Sequence, residues 1–173
     1  MRAEDLARKI RLLILDVDGV LTDGGLYYDQ QGSVLKRFDV QDGLGVKLAQ
    51  SAGLGVAVIT GLNHGCVEAR VRELGIKDYY PGNHKKVPFM ERLRRDKDLD
   101  YSQIAYLGDD LVDMPVLRLV GLPMAVINAS KEIVGMAAWV SARPGGHGAV
   151  REAIEFILHS QGLFDVAWRR LSG

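Results

Sequence analysis

Leu12-Leu13-Ile14-Leu15-Asp16-Val17-Asp18-Gly19 is the stretch that decides the fold of this 173-residue chain. Its four aliphatic residues show no helical period and lead to a glycine, which is typical of a buried strand in a parallel sheet. Ligands of such sheets bind beyond the carboxyl ends of the strands, so Asp16 and Asp18 are expected on the floor of that crevice. Two crowded carboxylates repel each other unless a cation lies between them or one is protonated. The stretch therefore predicts a metal site at a strand end.

The same residues can be interpreted as an ordinary turn, because Asp and Gly are common in turns. Taken alone, Asp-x-Asp-Gly favours the turn. It does not fit a calcium loop of the EF-hand type, since Gly19 is at the fourth position rather than the sixth and Tyr27 is at the twelfth instead of Glu. Acidic residues at other strand ends are needed to decide between a metal site and an ordinary turn.

The composition is that of an ordinary globular protein, with 47% hydrophobic and 25% charged residues. Basic and acidic residues are equal in number, 22 each, so no net field attracts nucleic acid or an acidic membrane surface. The first residues include two acids and lead into no long apolar run, so we expect neither a signal peptide nor a membrane span, and a cytoplasmic location. The single Cys66 excludes an intramolecular disulfide and a cysteine metal cluster.

Strand-like and helix-like segments alternate along one predicted domain, residues 1–173. The predicted strands are 10–16, 55–59, 76–80, 104–107, 124–127 and 139–140, and the predicted helices are 3–9, 43–51, 65–74, 85–95, 114–120, 131–136 and 149–160. This alternation implies right-handed crossovers and a three-layer α/β sandwich around a parallel, Rossmann-like sheet. Aromatic and β-branched residues around a glycine-containing turn predict a β-hairpin insertion at about 25–39. A C-terminal tail follows at about 161–173.

Reactive side chains follow three of the predicted strands. They are Asp16 and Asp18 after the first, Thr60 after the second, and Asp109, Asp110 and Asp113 after the fourth. An Asp at a helix N-terminus can cap free N–H groups, which would explain one or two of these acids. Capping does not explain why two strands both end in paired carboxylates, which together form an oxygen-rich pocket suited to Mg²⁺.

These segments resemble, in order and spacing, three motifs of the haloacid dehalogenase-like phosphatase superfamily. The matching stretches are Asp16-Val17-Asp18-Gly19-Val20-Leu21-Thr22, Val58-Ile59-Thr60-Gly61 and Gly108-Asp109-Asp110-Leu111-Val112-Asp113. The superfamily's third motif is a lysine between the second and fourth, for which Lys85 and Lys86 compete. Its place directly after Gly82-Asn83-His84 favours Lys85. The alternative is that both lysines form a solvated charge pair.

A closer resemblance runs over residues 8–165 and points to the capless subfamily of 3-deoxy-D-manno-octulosonate 8-phosphate phosphatases. It rests on Asp18-Gly19-Val20-Leu21-Thr22-Asp23-Gly24, the hairpin, Gln41-Asp42-Gly43, Glu73-Leu74-Gly75-Ile76 and Gly145-Gly146-His147-Gly148-Ala149-Val150-Arg151-Glu152. Two residues depart from the pattern, because Leu62 and His147 stand where the subfamily usually has Arg. Arginine binds carboxylate or phosphate through paired hydrogen bonds, which neither Leu nor neutral His can copy. The departures put the substrate in doubt while the hydrolytic residues are complete.

The resemblance implies an Mg²⁺-dependent phosphatase in which Asp16 attacks phosphorus and becomes an aspartyl-phosphate that water then hydrolyses. Asp18 would be the general acid that protonates the leaving sugar oxygen. The metal would be held by Asp16, the backbone carbonyl of Asp18, and Asp109. Further implied roles are phosphate binding by Thr60 and Lys85, substrate contacts by Gly61 and His147, and orientation of metal-bound water and Lys85 by Asp110 and Asp113.

The spacing of the motifs leaves no room for a cap domain. About 35 residues separate Gly24 from Thr60 and 24 lie between Thr60 and Lys85, whereas a separate domain needs ~50 residues or more. The predicted hairpin has little stability until it pairs with something. The resemblance implies a homotetramer in which four hairpins associate and reach neighbouring sites; alternatively the hairpin folds onto its own domain. The tail either docks on a partner or frays.

The implied substrate is 3-deoxy-D-manno-octulosonate 8-phosphate, a precursor in lipopolysaccharide biosynthesis. Leu62 and His147 keep open another acidic sugar phosphate, such as a nonulosonate 9-phosphate. A third interpretation is a catalytically idle tetrameric binding module, against which the complete set of acidic motifs argues.

Overall fold

A computed structural model describes residues 2–173, so Met1 of the predicted 1–173 domain lies outside the described residues. Its strands are β1 (Leu12–Leu15), β2 (Tyr27–Tyr28), β3 (Val34–Leu35), β4 (Gly55–Ile59), β5 (Asp78–Tyr80), β6 (Ile104–Gly108), β7 (Leu122–Ala125) and β8 (Trp139–Val140). Its helices are α1 (Ala3–Ala7), α2 (Val40–Ala52), α3 (Gly65–Leu74), α4 (Val87–Asp96), α5 (Met114–Leu117), α6 (Lys131–Met136), α7 (Ala149–Ser160) and α8 (Phe164–Ser172). None of the helices within residues 2–173 is long and apolar enough to cross a membrane.

Strand β1 lies at the centre of a six-stranded parallel sheet of order β5-β4-β1-β6-β7-β8. All four of its side chains are buried, because both faces of the sheet are covered. Leu13 and Leu15 pack with α2, α3 and α7 on one face, and Leu12 and Ile14 pack with α4, α5 and α6 on the other. The predicted three-layer sandwich is confirmed, and the unbroken apolar run of β1 follows from its position in the middle layer.

Four strands and four helices have bounds that differ from those expected, by one to three residues at an end. Strand β7 is Leu122–Ala125 rather than 124–127, so it includes Pro123, which lies opposite Tyr106 of β6. Strands β1 and β5 are shorter than predicted. Helix α2 begins at Val40 instead of residue 43, because the Asp39 carboxylate accepts a hydrogen bond from Gln41 N at 2.7 Å and caps the helix.

The hairpin exists, with β2 antiparallel to β3, and its base folds back on its own domain. Phe38 forms a β-bridge with Thr22, and Arg37 donates a hydrogen bond to Gly146 O. Lys36 forms an ion pair with Asp18. The tip of the hairpin, residues 27–35, lies away from the domain. It leaves Tyr27, Tyr28 and Leu35 more than half exposed, so it presents an apolar surface to solvent.

The C-terminal tail is helical and packs against its own chain. Ala167 of α8 is fully buried in the core, and its carbonyl accepts a hydrogen bond from Ser51 Oγ at 3.0 Å. Arg170 donates to Ser51 O at the same distance. The tail therefore neither frays over these residues nor extends away from its own domain.

A buried carboxylate joins the two longest helices. Asp42 of α2 is 1% exposed and accepts hydrogen bonds from Arg151 N at 2.8 Å and Gly148 N at 3.3 Å, which caps the N-terminus of α7. Burial raises the pKa of Asp42 to about 6, in spite of these two donors. The folded protein therefore binds this proton more tightly than the unfolded chain does.

Because the folded pKa of Asp42 lies above its ordinary value of 3.8, this residue makes the free energy of unfolding fall as the pH rises from about 4 to about 6. Asp42→Asn, which does not ionise, should remove this fall. We expect the stability of the native protein relative to the variant to decrease by about 2 to 3 kcal/mol across that range, as measured by urea unfolding at each pH. The exposed Asp165→Asn on α8 is the control, and a pH-independent difference between native protein and Asp42→Asn would contradict the assignment.

Candidate active site

A pocket of about 320 Å³ opens at the carboxyl ends of the central strands. Parallel strands β1, β4 and β6 end there side by side, which brings their following residues together. Predicted site residues in its lining are Asp16, Asp18, Thr60, Gly61, Asp109 and Asp110. The sequence-based expectation that these strand ends share one site is therefore correct in position.

Three carboxylates form the acidic centre of the site. Asp16, Asp109 and Asp113 each offer an oxygen within 4.8 Å of the others. Asp16 follows β1 and donates its backbone N–H to Leu107 O at 3.1 Å, which fixes it beside the end of β6. A cluster of carboxylate oxygens at this spacing has the chemistry that a hard divalent cation prefers.

Two carboxylates of the acidic centre bind protons more tightly than ordinary aspartates do. Burial and the nearby charge of Asp113 raise the pKa of Asp16 to about 7, although Lys86 opposes the shift. Burial and the charge of Asp16 raise the pKa of Asp109 to about 8. Since metal ligands must be deprotonated, a divalent cation bound here would displace these protons and leave the carboxylates ionised.

Lys86 lies inside the acidic centre. Its ammonium group is 2.8 Å from Asp16 Oδ1 and 2.7 Å from Asp113 Oδ1, and it donates to the Tyr106 hydroxyl at 3.1 Å. Burial alone would lower the pKa of Lys86, but the charges of Asp16 and Asp113 outweigh it and raise the pKa above 10.5. Lys86 is therefore a permanent cation at the bottom of the pocket.

The structure corrects the choice between the two lysines. Lys85 is exposed and is outside the pocket lining, whereas Lys86 is 2% exposed and in it. The reason is helical spacing: Lys86 immediately precedes α4 and shares its inward face with the buried Met90 and Leu93, four and seven residues on. This periodicity was present in the sequence and would have identified Lys86.

Asp113 is held by four donors rather than being a solvated acid. Its Oδ1 accepts from Lys86 and, at 2.6 Å, from the Tyr106 hydroxyl. Its Oδ2 accepts from the backbone N–H groups of Asp109 at 3.0 Å and Asp110 at 3.4 Å. Asp113 therefore positions Lys86, the role expected of it toward Lys85. Sequence analysis missed Tyr106, because a tyrosine within an apolar strand looks like any core residue.

The remaining predicted acids occupy the rim. The Asp18 side chain is half-buried and pairs with Lys36 of the hairpin base, and it is not part of the acidic centre. Asp110 is exposed and accepts from Leu111 N at 2.8 Å, so it caps the short 3₁₀ turn Leu111–Asp113. Thr60 is 1% exposed and its N–H donates to Tyr80 O, which fixes it at the end of β4.

Glycines hold the loop after β1 against the rest of the site. A Cβ at Gly19 would overlap the Asp109 carboxylate, and Cβ atoms at Gly145 and Gly146 would overlap the backbone of residues 19–23. The glycine-rich loop, residues 145–148, thus packs directly on residues 19–23. His147 of this loop is exposed, lies outside the pocket lining and approaches Gly145 O at 2.9 Å. That His147 contacts substrate therefore stays a prediction, which the lining of this pocket does not support.

Comparisons with known proteins agree with this geometry. Residues 73–154 match the model of the family described as haloacid dehalogenase-like hydrolase. The chain is 43% identical over 161 residues to 3-deoxy-D-manno-octulosonate 8-phosphate phosphatase KdsC of Escherichia coli strain K12, which covers 93% of this chain and 86% of that protein.

Solved structures give the same result. The crystal structure of 3-deoxy-D-manno-octulosonate 8-phosphate phosphatase from Yersinia pestis has a TM-score of 0.92 at 40% identity, over 94% of this chain and 88% of that one. The corresponding phosphatase from Moraxella catarrhalis, solved with magnesium, phosphate and KDO, has a TM-score of 0.94 at 35% identity, over 98% and 97%. The protein is a phosphatase that belongs to the haloacid dehalogenase-like hydrolases, within the capless 3-deoxy-D-manno-octulosonate 8-phosphate phosphatase subfamily.

Proposed function

We propose that this phosphatase hydrolyses 3-deoxy-D-manno-octulosonate 8-phosphate with Mg²⁺, through an aspartyl-phosphate on Asp16. The observation that carries the mechanism is the acidic centre of Asp16, Asp109 and Asp113 around Lys86 at the bottom of an open pocket. This arrangement supplies a nucleophile, a cation site and a fixed positive charge within a few ångströms.

Asp16 is the proposed nucleophile, because it ends the central strand and its carboxylate faces the pocket. A carboxylate is suited to this step, since its acyl-phosphate is labile to water. Asp16, Asp109 and the Asp18 backbone carbonyl would hold Mg²⁺, which, when bound, screens the phosphate charge and favours the ionised form of the carboxylates. Asp16 then attacks phosphorus in line with the leaving sugar oxygen.

Asp18 is the proposed general acid and base. It lies on the rim two residues after the nucleophile, where the leaving oxygen would emerge, and its side chain is separate from the acidic centre. It would give a proton to that oxygen and later remove one from the water that attacks the aspartyl-phosphate. Lys36 contacts the Asp18 carboxylate, so the hairpin base positions this group.

Thr60 and Lys86 are the proposed phosphate ligands. Both are buried beside Asp16, and both carry donors that can bind non-reacting phosphate oxygens. Asp113 and Tyr106 hold Lys86 in place, and its third donor, which contacts Asp16, would turn to a phosphate oxygen when the substrate binds.

The relatives support the substrate. The curated relative and the Yersinia and Moraxella structures are named for this octulosonate phosphate, and the Moraxella protein was solved with KDO. One observation favours a second candidate: Leu62 lines the pocket and offers no hydrogen bond where the subfamily usually has Arg. Another acidic sugar phosphate, such as a nonulosonate 9-phosphate, is the alternative. The complete acidic centre argues against an idle binding module.

We also propose that the protein acts in the cytoplasm as a homotetramer assembled through its hairpins. The support is the exposed apolar tip of Tyr27, Tyr28 and Leu35 on a ribbon of only two strands. The base of the same hairpin reaches Asp18, so association of the tips would also order the rim of the pocket.

The tetramer proposal predicts a particle of four 19.0 kDa chains in light scattering. The double variant Tyr28→Asp/Leu35→Asp should dissociate it, because charges at the tips would be desolvated in the assembly. Leu119→Asp, at another exposed leucine, is the matched control and should keep the native mass. A native monomer at working concentration would exclude hairpin-mediated assembly.

Phosphate release across a panel of acidic and neutral sugar phosphates tests the substrate and the nucleophile together. We expect the native protein to prefer the octulosonate phosphate, to lose activity on chelation and to regain it with Mg²⁺. Asp16→Asn should lower kcat by at least ~10³-fold with the fold intact, since it removes the covalent step. Asp23→Asn, on the same loop but outside the pocket lining, is the control.

Each result of this panel has a definite meaning. Preference for a nonulosonate phosphate would keep the mechanism and replace the substrate. Substantial turnover by Asp16→Asn would exclude Asp16 as the nucleophile. Absence of turnover on every member would refute the proposed substrate class.

Neighbouring lysine variants test the assignment of Lys86. Lys86→Ala should reduce kcat by about 10²-fold or more, whereas Lys85→Ala should change it less than twofold, because only Lys86 reaches the acidic centre. Removing Lys86 also leaves two buried carboxylates unpaired, a cost of about 3 to 5 kcal/mol. Lys86→Arg keeps the charge and separates a folding defect from a catalytic one. Equal losses in Lys85→Ala would contradict the assignment.

A further inference from the structure

The pocket has few positive groups for a substrate with two anionic parts. Its lining includes four carboxylates, while among its described lining residues only Lys86 and His84 can carry a positive charge. Lys86 is bound to Asp16 and Asp113, and Lys36, just outside the lining, is paired with Asp18. His84 is therefore the basic side chain of the lining that has no acidic partner within residues 2–173.

Backbone hydrogen bonds fix the position of His84. The loop that precedes it is attached to the end of β4, because Asn83 N donates to Thr60 O at 2.9 Å and Gly82 N donates to Leu62 O at 3.4 Å. Gly82 has a φ of 74°, which permits the sharp turn between these two contacts. The loop and the phosphate-binding end of β4 therefore form one unit.

The His84 ring lies directly against Gly61. A Cβ at Gly61 would be 2.6 Å from His84 Nδ1 and 2.7 Å from Cε1, so the space beside this glycine is filled by the imidazole. The His84 residue is exposed at the mouth of the pocket, and its ring nitrogens have no hydrogen-bond partner in the described part of the chain. An imidazole can donate a hydrogen bond whether it is neutral or protonated, so this ring is free to bind an anionic ligand.

We propose that His84 binds the carboxylate of the substrate and sets the preference for acidic over neutral sugar phosphates. This inference rests on the proposed function, in which the phosphate occupies the deep end beside Asp16, Thr60 and Lys86. His84 lies at the mouth, where the sugar would extend. Its neighbour Leu62 lines the same wall without a polar group, so the imidazole provides recognition there.

Steady-state kinetics with two substrates test this assignment. The ratio of kcat/KM for the octulosonate phosphate to that for glucose 6-phosphate should fall about tenfold in His84→Ala, mainly through KM of the acidic substrate, because a hydrogen bond to a charged group is lost. His84→Gln retains an N–H donor and should recover most of the ratio. Lys85→Ala, next to it but outside the pocket lining, should leave the ratio unchanged. Inhibition by inorganic phosphate should change less than twofold in His84→Ala.

An unchanged ratio in His84→Ala would overturn the inference. Equal weakening of both substrates and of inorganic phosphate would also overturn it, since His84 would then belong to the phosphate subsite. If the native protein hydrolyses neither substrate, the proposed function fails, and calorimetric titration still decides the role of His84. Asp16→Asn should bind the acidic sugar phosphate about tenfold more tightly than Asp16→Asn/His84→Ala, and equal affinities would refute the assignment.

Discussion

Mutual repulsion among buried carboxylates is the constraint on which the rest of the site depends. The parallel sheet brings Asp16, Asp109 and Asp113 together beside adjacent strand ends, where Asp16 and Asp113 are buried and Asp109 is half-buried. One internal cation, Lys86, offsets part of this repulsion, but burial and the neighbouring carboxylates still raise the pKa of Asp16 to about 7 and that of Asp109 to about 8. The carboxylates of the site therefore attract cations, and a divalent cation would reduce their repulsion. The convergence of the strand ends thus both arranges the carboxylates of the site and causes their mutual repulsion.

Within residues 2–173 the protein has no cap domain, and its hairpin contacts the site at its base while its tip is exposed to solvent. Its base contributes Lys36 to the Asp18 carboxylate and Arg37 to the glycine-rich loop, so it borders the pocket. Its tip consists of two short strands and their turn, with exposed aromatic and aliphatic side chains. A perturbation at the tip can thus reach Asp18, the proposed general acid, through fewer than ten residues of ribbon.

The hydrophobic periodicity of the sequence and the acidic residues that follow its predicted strands were sufficient to predict the sheet, its layers and the acidic residues of the pocket. They succeeded because β1 is buried on both faces and because parallel strands place their ends at one edge. The predictions were wrong where contacts between distant segments determine where a helix begins or which way a side chain lies. Asp39 starts α2 before the glycine that suggested its beginning, and His147 lies on the outer side of its loop. Lys86 could have been identified from its spacing to Met90, whereas nothing in the sequence separates Tyr106 from an ordinary core residue.

The glycine-rich loop has a consequence for the order in which the molecule is completed during synthesis. Asp16 and Asp18 leave the ribosome among the first residues of the described chain, but the loop that packs on Gly19 and residues 22–23 is translated more than a hundred residues later. Asp42 likewise gains its backbone donors only when α7 has been made. A nascent chain can assemble the early strands, yet the loop after β1 lacks its contact with the glycine-rich loop until this last third arrives. The packing around the loop after β1 is therefore completed only late in synthesis.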